Sequence, residues 1–136
     1  MRTFLFLSML LVASTVGAQN KLTVTVDGIG NSKGKILVAV FDSINFLKQP
    51  VYSGLVDVKQ GQEEATIVID SIASGKYAVS LFLDENGNYK VDTGAYGIPV
   101  EKFGFSNNVR PTMGAPTFQD CMFTIKEDTE INITLQ

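Results

Sequence analysis

The densest set of oxygen donors in the sequence is the run Asp84-Glu85-Asn86-Gly87-Asn88-Tyr89-Lys90-Val91-Asp92. A hard cation such as Ca²⁺ is held by several oxygens that converge from a tightly turned backbone. Asp84, Asn86, Asn88 and Asp92 fall at positions 1, 3, 5 and 9 of the calcium-loop template, and the Lys90 carbonyl falls at position 7. Two residues depart from that template. Tyr89 stands at position 6, where glycine makes the sharp turn, and Ala95 stands at position 12, where a glutamate ligates through both oxygens. Five ligands fall short of the six to eight that Ca²⁺ takes, so water or a further carboxylate, Glu101 or Asp120, must complete the shell. The expectation is a weak, structural calcium loop with a Kd of about 10⁻⁴ to 10⁻³ M, useful only outside the cytoplasm. The competing reading is a polar hairpin turn, because Asn86-Gly87 is by itself a strong turn signal.

Other chemistry is thin. The 136 residues contain no His and one Cys, which rules out Ser-His-Asp and Cys-His nucleophile systems, His-ligated zinc, His-held haem and an internal disulfide. Ser74 and Ser106 have no base beside them in sequence, and Lys102 next to Glu101 reads as a solvated surface pair. A carboxylate-based hydrolase would need Asp84 with Asp92, or Asp92 with Glu101, set across a cleft. No complete set of nucleophile, base and oxyanion donors can be assembled, so the chain is read as non-catalytic. A net charge of −3 without clustered Lys and Arg argues against nucleic acid as a partner. Asn132-Ile133-Thr134 fits a glycosylation sequon but lies within a strand pattern.

The elements that must position these residues follow a period of two. Leu22, Val24 and Val26 alternate with polar residues, as in a strand with one wet face. Lys35–Asp42 is apolar on both faces, which predicts a central strand covered on two sides. Further strands are expected at Leu55–Lys59, Glu64–Asp70, Gly75–Asp84, Cys121–Lys126 and Thr129–Leu135. The irregular stretch Ser43–Gly54 has Phe46 as its anchor and room for a turn of helix at Ile44–Lys48. These segments define an all-β chain, a single antiparallel β-sandwich of immunoglobulin-like or prealbumin-like kind, with about seven strands and one long ordered loop. Val24, Val38, Val40, Ile67, Val79, Leu81, Phe123 and Ile133 are expected in its core, and Cys121 is expected to share the inner face with Phe123 and Ile125.

The long loop runs from Thr93 to Gln119 and carries Tyr96, Phe103, Phe105 and Phe118. A connection of that length needs apolar anchors of its own, so the rings either complete the core or form a contact surface for a ligand or partner. Tyr96, Glu101, Phe103, Phe105 and Phe118 are the candidate binding residues, with an unknown protein or glycan as partner.

The first eighteen residues read as an address. A positive start at Arg2, the apolar run Phe4–Val12 and the small residues Val16-Gly17-Ala18 predict a cleaved secretory signal at 1–18 and one domain at 19–136. This nine-residue run, broken only by Ser8, spans only ~14 Å as a helix, short of a ~30 Å hydrocarbon core, and no later run is long enough to cross a membrane. The mature chain is therefore expected to be secreted or periplasmic, at the cell envelope, without a transmembrane span.

Three strings carry a resemblance over essentially the whole mature chain. They are Gly75-Lys76-Tyr77-Ala78-Val79 running into Asp84–Thr93, Tyr96-Gly97-Ile98-Pro99-Val100-Glu101 with Phe103–Asn108, and Gly114-Ala115-Pro116-Thr117-Phe118-Gln119-Asp120. In order, they closely resemble an uncharacterised family of exported bacterial domains. Leu83 stands where that pattern often has a His, and Tyr89 where it usually has a Gly. More distantly, Gly-x-Tyr entering a strand looks like prealbumin-like and carboxypeptidase-regulatory-like sandwiches. Those relatives imply a binding module, or else a purely structural accessory domain of the envelope.

Overall fold

The computed structural model describes residues 19–94 and 99–136, so the leader at 1–18 and Tyr96 lie outside the described residues. The strands are β1 (Gln19–Asp27), β2 (Gly34–Phe41), β3 (Tyr52–Val58), β4 (Ala65–Ala73), β5 (Gly75–Asp84), β6 (Phe103–Phe105), β7 (Phe123–Ile125) and β8 (Thr129–Thr134), with one short helix, α1 (Phe118–Cys121). They form two facing sheets. One has the order β4-β1-β8, the other β3-β2-β5-β6, with β7 also on β5.

Alternation explains the core. Leu22, Val24 and Val26 of β1, Ile67 of β4 and Ile133 of β8 point inward from one sheet. They meet Ile36, Val38 and Val40 of β2 and Val79, Leu81 and Leu83 of β5 from the other, nearly all without solvent exposure. Each such side chain contributes roughly 1.5–3 kcal/mol by leaving water. Of the expected core, Phe123 alone is only partly buried. Among the described residues five of the six strand ladders are antiparallel. The exception is β1 with β8, paired in parallel from Leu22↔Thr129 to Asp27↔Thr134. A parallel pair needs a long crossover, and here the whole chain between the two strands supplies it.

Among the elements the sequence reading needs correction at five places, the first being β3, which starts at Tyr52 inside the stretch read as irregular. The strand expected at Cys121–Lys126 begins only at Phe123, because Thr117 and Asp120 form a reciprocal capping box that winds 118–121 into α1. Cys121 is buried as expected, but in a different layer from Ile125. Ile44–Lys48 forms hydrogen-bonded turns rather than helix, with the Lys48 N–H donating to the Asn45 carbonyl at 2.8 Å. The short strand β6 falls inside the stretch read as loop.

A second apolar cluster covers part of the outer face of the five-stranded sheet. Ala78, Phe105 and Cys121 are its buried centre, with Phe46, Phe103, Val109 and Phe118 packed around them. Phe46 is thus the anchor expected, its ring 5.8 Å from those of both Phe41 and Phe118. Coverage stops partway along β2. Phe41 is buried, whereas Leu37 and Ala39 on the same face remain half-buried.

Candidate functional site

Where β5 ends, the chain turns around the side chain of Asp84. This carboxylate is fully buried and accepts the Gly87 N–H at 3.0 Å and the Tyr89 N–H at 2.8 Å. Asn86 Oδ1 accepts the Asn88 N–H at 3.2 Å, and Asn88 Oδ1 accepts the Lys90 N–H at 3.0 Å. Side chains at alternate positions therefore fold the backbone in a staircase, the use to which short polar side chains are best suited. Tyr89 takes the left-handed conformation, φ +60°. Its backbone thus adopts the turn that glycine makes at position 6 of the template.

Two carboxylates close the loop. The side-chain amides of Asn86 and Asn88 both donate to Asp92, the second at 2.8 Å. These donors, Asn88 foremost, hold the Asp92 carboxyl below its ordinary range. Glu101, 8% exposed, accepts the Glu85 N–H at 2.8 Å and the Asp92 N–H at 3.2 Å, one on each of its oxygens. It ties the entry of the loop to its exit. The Val100 N–H bonds the Asp92 carbonyl at 2.9 Å beside it.

Glu101 and Lys102 are therefore not a solvated surface pair. The carboxylate turns inward, and Lys102 Nζ donates to the Ile29 carbonyl at 2.8 Å, fastening the β1–β2 turn to β6. Asp120 is engaged elsewhere, in the cap of α1, where the Thr117 side chain and backbone lower its pKa. Among the described residues, no three Cys, Asp or Glu side chains converge closely enough to hold a metal ion. What the sequence spacing brings together is Asp84, Asn86, Asn88, Lys90 and Asp92, joined by Glu101. It meets as a hydrogen-bonded ring with amide nitrogens, not oxygens, turned toward Asp92.

The aromatic candidates lie apart from this ring. Phe105 is buried, and Phe103 and Phe118 are half-buried against the second cluster, the Phe103 and Phe105 rings being 6.0 Å apart. The residues that follow β6 are stitches. Ser106 Oγ accepts the Val79 N–H at 2.9 Å and donates to the Cys121 carbonyl. Asn107 donates to the Asp120 and Met122 carbonyls, and Asn108 Oδ1 accepts the Thr134 N–H at 2.9 Å. Both asparagines are left-handed, at φ +61° and +52°. Sequence reasoning missed this role, although consecutive Asn residues, which tolerate that conformation, were its signal.

Beyond the covered half of the outer face lies an open concavity of about 490 Å³, lined among others by Leu37, Ala39, Phe41, Leu55, Phe82 and Val91. Its sequence signal was the outward apolar set on β2, β3 and β5. Among the described residues no helix is long and apolar enough to cross a membrane.

A two-sheet sandwich, with a carboxylate-closed turn at the root of its longest connection and stitched aromatics on one outer face, defines the class of protein. Residues 24–133 match the family described as an uncharacterized protein conserved in bacteria, DUF2141, and the chain belongs to that family. Comparison with curated proteins and with solved structures finds no match.

Proposed function

We propose that the protein is an exported, non-catalytic binding module of the bacterial envelope in which the Asp84–Asp92 loop takes up Ca²⁺ weakly. The observation that carries the calcium reading is the left-handed Tyr89. The loop backbone is wound as the template requires even though position 6 is not glycine. Rotation of the Asn86 and Asn88 amides about their last side-chain bond exchanges nitrogen for oxygen, and gives up the bonds that their Oδ1 atoms accept from the Asn88 and Lys90 N–H groups. With the amides turned, Asp84, Asn86, Asn88, Asp92 and the Lys90 carbonyl supply oxygens, and Glu101 stands next to them as the carboxylate missing from position 12. Export rests on the leader pattern at 1–18.

The non-catalytic reading is supported by how the polar groups are employed. Asp92 and Asp120 are held below the ordinary carboxylate range, opposite to what a general acid needs. Ser106 Oγ is tied between two backbone groups, and both Glu101 oxygens accept backbone N–H groups.

Calorimetry with and without millimolar Ca²⁺ tests the loop. At about ten times Kd the ion adds about 1.4 kcal/mol to stability. The melting temperature of the wild type should rise, and rise less in Asp84→Ala and Asp92→Ala. Equal responses in all three proteins, or no response in any, would leave the loop a hydrogen-bonded turn. A purely structural accessory domain is the second reading, favoured by the packing of Phe103, Phe105 and Phe118 into the second cluster rather than outward.

A further inference from the structure

Among the described residues β3 is a long, regular edge strand with no strand beyond it. On the opposite side β6 and the chain end close on each other, the Gln136 N–H donating to the Phe103 carbonyl at 2.8 Å and the Phe103 N–H returning to Gln136 at 3.2 Å. The β4 edge is blunted by Ser71 at φ +62°, by Asp70, and by a register shift against β1. β3 has neither a left-handed residue nor a register shift, and its one charge, Asp57, is paired with Lys35 Nζ. The strand pairs with β2 without a break from Val58 to Tyr52 and contains neither Pro nor Lys.

The direction of its backbone groups follows from the ladder. The Leu83 N–H bonds the Lys102 carbonyl, in register with Ser80↔Phe105, so Leu81 and Leu83 bond toward β6. Alternation then turns Phe82 and Asp84 toward β2, and Leu37 and Lys35 back toward β5. Ile36, Val38 and Val40 therefore bond to Val56, Gly54 and Tyr52. The N–H and C=O groups of Ser53, Leu55 and Asp57 point outward, with no strand partner among the described residues.

We propose that this edge pairs with the same edge of a second copy of the chain, antiparallel about a twofold axis at Leu55. Leu55 is the central residue of Tyr52–Val58. That register sets Leu55 against the partner's Leu55, and Ser53 and Asp57 against the partner's Asp57 and Ser53. All of the outward backbone groups are then bonded in pairs. No other register centred on the strand does this while matching its side chains. Each Ser53 hydroxyl meets a carboxylate, and the charge of Asp57 is already offset by Lys35 Nζ at 2.6 Å. On the same outer face the cross-strand row Phe103, Phe82, Leu37, Leu55 continues into its counterpart. Leu55, now 47% exposed, gains an apolar neighbour, and the two open concavities join across the axis.

Sedimentation equilibrium of the purified protein tests the pairing. The wild type should show a concentration-dependent dimer. Leu55→Pro removes an N–H that the β2 ladder does not use, and Leu55→Glu sets like charges opposite each other. Both variants should be monomeric while keeping the wild-type circular dichroism spectrum. Val68→Glu, on the exposed face of the three-stranded sheet, should still dimerise. If Leu55→Pro does not fold, Leu55→Glu decides. A wild type that stays monomeric into the millimolar range overturns the proposal. So does a dimer that survives in folded Leu55 variants, or one that Val68→Glu dissociates.

Discussion

Tyr89 sits in a conformation that costs an ordinary side chain roughly 1–2 kcal/mol, and the Asp84 carboxylate holds it there through the Tyr89 N–H at 2.8 Å. Tyr89→Gly relieves the strain but frees the unfolded chain by roughly 0.5–1 kcal/mol. We expect a net gain of under about 1 kcal/mol, read as a higher urea midpoint at unchanged slope. A lower midpoint would mean that the exposed ring contributes contacts of its own. Asp92 provides a pH test at the same loop. Its folded pKa is lowered, so its contribution is present above the ordinary carboxylate value of about 3.9 and is lost as pH falls through the lower folded value. Asp92→Asn should flatten that part of the acid limb, as followed by melting temperature against pH.

At the scale of elements, the first residue of β2 must lie directly against the start of the Asp84 loop, and Gly34 allows it. A Cβ there would press on the Asp84 carbonyl and the Glu85 backbone, with φ +146°. Gly34→Ala should cost roughly 2 kcal/mol or more, from crowding against backbone that cannot move aside. Gly61→Ala is the comparison. At φ +84° with nothing within 4 Å, it should lose only the conformational part, about 1 kcal/mol. Chemical denaturation of both variants separates the two causes, and equal losses would remove close approach as the reason for Gly34. α1 shows the same dependence on local chemistry. Four residues are helical because Thr117 and Asp120 cap one another, and that turn places Cys121 in the buried centre of the second cluster.

For the whole molecule, the alkaline limb of stability reports on burial. The Tyr77 phenol donates to the Ala73 carbonyl at 2.7 Å, and burial, with Tyr52 beside it, pushes its pKa up to about 12. A raised folded value means that its stabilisation is complete below the unfolded pKa of about 10 and is lost as pH rises through 12. Tyr77→Phe should reduce the fall in stability over that range, measured by urea unfolding at fixed pH. Burial likewise raises the Cys121 thiol to about 11, with Asp120 adding to the effect. The thiol should therefore resist alkylation at pH 8 until the protein unfolds. Much of this architecture was legible in the sequence. Side chains two apart share a face of a strand, so Leu22, Val24 and Val26, or Val79, Leu81 and Leu83, declare strands and a core without reference to any partner. Asp84, Asn86 and Asn88 likewise declare a turn, because each folds backbone within five residues of itself. Tertiary structure alone decided that Glu101 closes that loop from sixteen residues beyond Glu85, and that Lys102 reaches the Ile29 carbonyl. It also decided that β1 and β8 run parallel, and that the outer face of β2 is covered at Phe41 and open at Leu37. Periodicity records which side chains lie together on one element. What covers that face, and which distant donor reaches a given carboxylate, depends on how elements far apart in the chain pack.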